Sequence, residues 1–192
     1  MTDPTTRAIL DATRSSVLDF GVRRTTLTDI ARRAGVSRMT VYRRYPDVDA
    51  VLRELMTREF GATLEATAAA AHEAGTDGRS RLSRQVVSGL RELRDHPLLR
   101  KVVDAEPELL LPYVLGHLGA SQRHALALLS AAVAAGQDDG SVRDGDPEII
   151  ARGLLLVAQS FLFSAGTADA VPTAVLDAEL ARYVDAALAP ER

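Results

Sequence analysis

Residues 26–45 read TLTDIARRAGVSRMTVYRRY, and this stretch decides the fold. Thr26 and Asp29 stand at the T-x-x-D spacing of a capping box. The Thr26 hydroxyl is placed to accept from the third helical amide, and Asp29 to reach back to the amide of Thr26. A helix is therefore predicted to start there. Ile30, Ala31 and Ala34 then share one apolar face. Gly35 falls one step past the last turn, where a left-handed residue closes a helix at least cost. Val36 is positioned to fill the corner, and Ser37 is a good second N-cap. A second helix over 38–45 ends before Pro46, because proline disfavours helical geometry in the residue preceding it. Two short helices joined by a tight turn make a helix-turn-helix.

The second helix has two faces. Val41 and Tyr45 are four apart and are expected to pack inward. Arg38, Met39, Thr40, Tyr42, Arg43 and Arg44 are left for the outer face and its edges. Such a helix fits the major groove, with its N-terminal residues meeting base edges. Arginine reads guanine there because its fork matches O6 and N7. Thr40 is placed for a base or a thymine methyl, and Tyr42 and Arg43 for phosphates, which position without specifying.

Charge agrees with this reading. Residues 22–46 hold seven arginines (23, 24, 32, 33, 38, 43 and 44) against one acid, Asp29. Residues 1–60 balance at +3 and residues 61–192 at −6, within a net charge of −3. A basic pole on an acidic chain is the electrostatic footprint of a modular DNA binder.

The motif resembles the TetR family of bacterial repressors. It follows Phe20-Gly21 and the link Thr25-Thr26, then runs from Ile30-Ala31 through Ala34-Gly35-Val36-Ser37 to Thr40-Val41-Tyr42 and Arg44-Tyr45. The resemblance spans roughly residues 8–55, about a quarter of the chain. It implies an all-α protein: an N-terminal three-helix DNA-binding domain (1–47) and a helical effector-binding and dimerisation domain (48–192). By position it carries Thr26, Thr28, Arg38, Met39, Thr40, Tyr42, Arg43 and Arg44 to the DNA. Met39 stands where a small residue is usual, and is expected to meet a base methyl or to alter how closely the helix approaches the groove. Val48 replaces the lysine that often holds a phosphate at the start of the fourth helix. Asp47 beside it is placed to cap that helix.

The rest of the chain reads as helix. A first helix is expected from Pro4 to Phe20, with Ile9, Leu10, Val17 and Phe20 bracing the motif. A long one over 48–74 carries Val51, Leu52, Leu55, Met56, Phe60 and Leu64 along one side. Others are predicted to end near His96-Pro97, to include Leu99, Val102 and Val103, and to span about 120–136. Residues 137–147 hold two glycines and four aspartates and read as a loop. Over 148–165 the pattern is apolar almost all round, which predicts burial on more than one side. Over 175–188 a single stripe runs through Leu176, Leu180, Tyr183, Val184 and Ala187.

The resemblance implies that these last two helices pair with their copies across a two-fold axis. Leu154, Phe161, Leu176, Leu180, Tyr183 and Val184 are the residues expected at that interface. A homodimer would set two heads about one helical turn apart, ~34–36 Å, on a palindromic operator. The resemblance also implies a small-molecule effector, with Met56, Phe60, Leu64, Tyr113, His117, Gln159 and Phe163 as candidate lining residues. The function expected is a repressor released by that effector. Control by a protein partner, or activation, is the alternative.

No cysteine is present, so disulfides and thiol chemistry are excluded. The four histidines (72, 96, 117 and 124) show no metal spacing, and the acidic cluster Asp104, Glu106 and Glu108 lacks a histidine partner. With no phosphate loop and no nucleophile motif, neither a catalytic residue nor a cofactor is expected. The N-terminus lacks an apolar leader, and the apolar stretch over 153–166 is short for a membrane span. A cytoplasmic chain without a membrane partner is the expectation.

Overall fold

The computed structural model describes residues 3–74, 76–105, 107–110, 118–164 and 171–190. Among them the chain forms nine α-helices, one short 3-10 turn and no strand. They are α1 (Pro4–Phe20), α2 (Leu27–Ala34), α3 (Arg38–Arg44), α4 (Val48–Ala74) and α5 (Gly78–Asp95). There follow α6 (Pro97–Ala105), the 3-10 turn Pro107–Leu109, α7 (Ala120–Asp138), α8 (Pro147–Ser164) and α9 (Thr173–Leu188). The fold class is all-α, as the resemblance implies.

The chain packs as two compact units. One comprises Met1–Phe60 with Asp95–His117, the other Gly61–Arg94 with Leu118–Arg192. α4 runs unbroken through the division between Phe60 and Gly61. Its first half buries Val51, Leu52 and Leu55 in the first unit, where α6 also packs on α1 through buried Leu98, Leu99 and Val102.

Within the first unit, α1 starts where Asp3 caps it and Pro4 takes the first helical position. Ile9, Leu10 and Val17 are buried, together with Ile30 and Ala31 of α2 and Val41 of α3. Phe20 departs from expectation and stays half-exposed. The link after α1 is tied internally: buried Thr25 donates to the Gly21 carbonyl at 2.9 Å and meets the Ser16 hydroxyl at 3.2 Å.

The second unit has one apolar core drawn from α5, α7, α8 and α9. It includes Leu82, Val86, Leu90, Leu129, Val133, Ile150, Ala151, Leu154, Leu155, Leu180, Val184 and Leu188. α5 and α7 approach so closely that a Cβ on Gly78 would lie 2.3 Å from the Gly136 Cα. Asp139 seals this crossing by accepting from the Gly78 amide at 2.7 Å. Asp177 of α9 is buried yet ionised, because Arg91 and Arg94 of α5 meet it at 2.8 and 2.9 Å. Burial works to raise its carboxyl, and the two guanidiniums outweigh that and hold it below the usual range.

The last two helices depart from expectation in two respects. Leu154, Leu180 and Val184 were expected to face a partner copy, but this unit's own core buries them. The stripe at spacing four on α9 is the core stripe. Conversely, α8 is not buried all round within the chain: Ile149 is 71% and Leu156 58% exposed. α8 also begins earlier than the apolar stretch suggests, at Pro147. With mean hydropathy 1.2 it is long and apolar enough, by length and composition, to cross a membrane.

Candidate nucleic-acid interface

The helix-turn-helix is built by caps. Thr26 adopts extended backbone, accepts from the Asp29 amide at 3.1 Å and donates its own hydroxyl to the Asp29 carboxylate at 2.7 Å. Asp29 thus closes the box on the hydroxyl of Thr26 and not on its amide. That hydroxyl, with Arg32 3.4 Å away, holds the Asp29 carboxyl below its usual range. Gly35 sits at φ 66°, ψ 27°, the left-handed conformation that suits glycine. The amides of Gly35 and Val36 return to the carbonyls of Arg32 and Ala31 at 3.4 and 3.1 Å, closing α2 in a Schellman motif. Ser37 then caps α3 by accepting from the Thr40 amide at 3.0 Å.

α3 buries Val41 and, just past its end, Tyr45. Burial and a hydrogen bond to Glu54 push the Tyr45 phenol far above its ordinary range, so it remains a neutral donor. Asp47 accepts from the Ala50 amide at 2.7 Å and caps α4. That carboxylate is spent on the helix terminus, while Val48 is half-buried and offers no cation.

The outer face of α3 carries Arg38, Met39, Tyr42 and Arg43, all exposed, with Met39 at 73%. Thr40 is half-buried, and its hydroxyl lies 2.8 Å from that of Ser37. Its methyl is the part left for a base. Thr28 is half-buried on α2. The hydroxyl of Thr26 is engaged by Asp29, so this residue serves the helix start first.

The seven arginines of the basic pole are not equivalent. Arg32 pairs with Asp29. Arg33 lies 2.9 Å from Asp19 and over the Phe20 ring at 5.0 Å, which gives that half-exposed ring a cationic partner. Arg23 pairs with Glu108 in the 3-10 turn. Arg44 pairs with Asp3 at 2.6 Å and also contacts the Thr6 hydroxyl. Arg24, Arg38 and Arg43 are exposed and have no acidic partner among the described residues. Arg24 is absent from the sequence-derived set of contacts. Its only signal there is membership of the arginine run.

The candidate effector residues are not drawn together within either unit. Phe60 belongs to the first unit, buried edge-on to His96 at 5.2 Å between ring centroids, and Met56 is half-buried in the same unit. In the second unit Leu64 packs on the apolar core, and Gln159 and Phe163 are half-buried. Tyr113 and His117 lie outside the described residues. A recess of about 110 Å³ opens in the second unit between α4, α5 and α7. Alanine methyls line it with His72, Arg81 and Gln85, and none of the seven candidates takes part. It is small against the 300–1,000 Å³ of most ligand sites. No group of metal-binding side chains occurs among the described residues.

The family model for bacterial regulatory proteins of the tetR family matches residues 9–55, which run from the middle of α1 into α4. Over 175 residues the chain is 40% identical to an uncharacterised HTH-type transcriptional regulator of Mycobacterium bovis, covering 90% of this chain and 88% of that protein. The fold superposes on the TetR-family transcriptional repressor QsdR of R. erythropolis with a TM-score of 0.73, over the whole of both chains at 16% identity. It also superposes on SmeT, solved in complex with triclosan, with a TM-score of 0.57 at 26% identity, over 99% of this chain and 97% of that one. With a helix-turn-helix at its N-terminus and a full-length relative of this identity, the chain belongs to the TetR family of bacterial transcriptional regulators.

Proposed function

We propose that this DNA-binding regulator is a repressor that binds a palindromic operator as a homodimer and is released by a small-molecule effector. It would act in the cytoplasm, where the operator is. The observation that carries the dimer is the face that α8 and α9 leave uncovered. Ile149, Leu156 and Val157 on α8 are exposed, as are Val175 and Tyr183 on α9. Large exposed apolar groups on adjacent helices mark an association surface. Glu148, Arg152 and Arg182 are exposed on the same two helices, which suits a protein partner better than lipid. Phe161 is half-buried against Tyr183, with ring centroids 6.3 Å apart, and would stand at the rim of this face. Leu176 is half-buried and would stand there too.

A second copy is the partner that DNA chemistry favours, because a two-fold axis presents two recognition helices to two half-sites. An effector acts if it and DNA prefer different conformations. The triclosan complex of SmeT supports a small molecule in that role.

Sedimentation velocity tests the dimer. Leu156→Arg should give a folded monomer that no longer retains a two-half-site duplex. A Leu156→Arg protein that still sediments as a dimer would refute this face. Substituting Leu180 is the wrong test, because a charge there would unfold the second unit's core.

A further inference from the structure

We infer that Arg44, on the recognition helix, is a positioning residue and not a DNA ligand: it brackets the end of α3 to the start of α1 through Asp3 and Thr6. The inference rests on DNA binding by this chain, and needs neither the dimer nor the effector.

The geometry is a two-point hold. One Arg44 nitrogen lies 2.6 Å from Asp3 Oδ2, and the other contacts Thr6 Oγ1. The hydroxyl of Thr6 in turn lies 3.3 Å from the same Asp3 oxygen. The second Asp3 oxygen accepts from the Thr5 amide at 3.3 Å and caps α1. Arg44 therefore grips a carboxylate already fixed by its own helix. The hydrogen bond from its guanidinium is the largest influence on Asp3 and, together with the Thr5 amide, holds that carboxyl below the usual range.

The need for a bracket follows from α3 itself. Seven residues are too few for a helix to hold its shape alone. Its N-terminal end is fixed by the Ser37 cap and its middle by buried Val41. Its C-terminal end has no glycine cap: Tyr45 is already extended at φ −129° and Pro46 follows. Buried Tyr45 anchors the chain just past this end, and Arg44 is the last side chain of the helix itself that ties it to α1. The bracket also neutralises Asp3, which would otherwise bring negative charge beside a helix meant for phosphates.

The test uses the full chain, a duplex it selects from a random pool, and a scrambled duplex of equal length. Binding is measured across a salt series for Asp3→Asn, Arg44→Gln, Arg44→Lys and the Asp3→Asn, Arg44→Gln double variant. Asparagine caps a helix as well as aspartate does, so Asp3→Asn removes the ion pair and keeps the start of α1. Lysine keeps the charge at position 44 but lacks the fork.

A bracket predicts that all three single variants weaken the selected duplex by about five- to tenfold, that the double variant is no worse than either parent, and that the salt slope and the scrambled duplex are unaffected. A phosphate ligand predicts the reverse. Arg44→Gln would then flatten the salt slope by about one per head and weaken both duplexes alike, Arg44→Lys would be tolerated, and Asp3→Asn would tighten binding by freeing the arginine. Either a flattened slope or tighter binding by Asp3→Asn overturns the inference. Wild-type protein that discriminates between no duplexes would overturn it together with the DNA-binding reading, so the two failures are distinct.

Discussion

Arg38 and Met39 open the recognition helix with nothing of their own chain laid over them. Arg38 is exposed without an acidic partner among the described residues, and Met39 is the most exposed large apolar side chain described. A bare thioether at this place is costly in water and is satisfied only by another apolar group, of which the major groove offers one, the thymine methyl. Arg38→Ala should cost about 1–3 kcal/mol at one base pair and relax selectivity there. Competition binding across single-base variants of the selected duplex measures it. Loss spread evenly over all variants would make Arg38 a phosphate contact. These two residues were legible in the sequence because Val41 and Tyr45 fix the inner face and leave the others outward. The division of the arginines was not legible. Asp3 meets Arg44 across 41 positions and Glu108 meets Arg23 across 85, and no periodicity links residues so far apart. Position within the family resemblance therefore carries Arg44 to the DNA together with Arg38 and Arg43, with nothing to set it apart.

At the scale of elements, the starts of α1 and α4 were readable, the first from Pro4 at its opening position and the second from Asp47 before Val48. The two faces of α9 were not. Leu176, Leu180 and Val184 form an apolar stripe whether it faces the chain's own core or a second copy, and spacing does not distinguish the two. α6 shows what caps can add to function. His96 precedes Pro97, and its Nδ1 accepts from the Leu98 amide at 3.3 Å, so the ring caps α6 only while Nδ1 carries no proton. Burial depresses the His96 imidazolium. Glu59, 3.8 Å from Nε2, opposes that, and Arg14 adds to it. A base with a depressed folded value contributes stability that is complete above its ordinary value of about 6.5 and is lost as pH falls through the folded value. The melting temperature should therefore fall on acidification below about pH 6.5. His96→Asn, which caps without titrating, should flatten that dependence. An unchanged slope in the asparagine variant would assign the titration elsewhere. The α5–α7 crossing makes a sharper mechanical prediction. A methyl on Gly78 meets backbone, not a movable side chain. Gly78→Ala should therefore destabilise by about 1–3 kcal/mol in a chemical melt, despite the better helix propensity of alanine. A neutral result would mean that the two helices can separate at no cost.

For the whole molecule, the decisive quantity is how much of its basic charge is available to DNA. The first sixty residues balance at +3 in a chain of net −3, so affinity for phosphate must come from this end alone. Four of the seven arginines in residues 22–46 already have acidic partners. Of the remaining three, Arg38 is the proposed base reader, which leaves Arg24 and Arg43 for the backbone. In the proposed dimer, two phosphate contacts from this stretch on each of two heads would give a slope of about −4 for log affinity against log salt, since each neutralised phosphate contributes about −0.9. If the four paired arginines also turned to phosphate, six contacts per head would steepen the slope to about −11. Anisotropy titrations between low and moderate salt separate these values easily. The shallow slope would mean that the acids of the head are fixed parts of the binding surface, which trade non-specific affinity for a rigid recognition helix. The steep one would mean that the ion pairs open on DNA, with Arg23 leaving Glu108 and Arg44 leaving Asp3, and that binding exchanges carboxylates for phosphates.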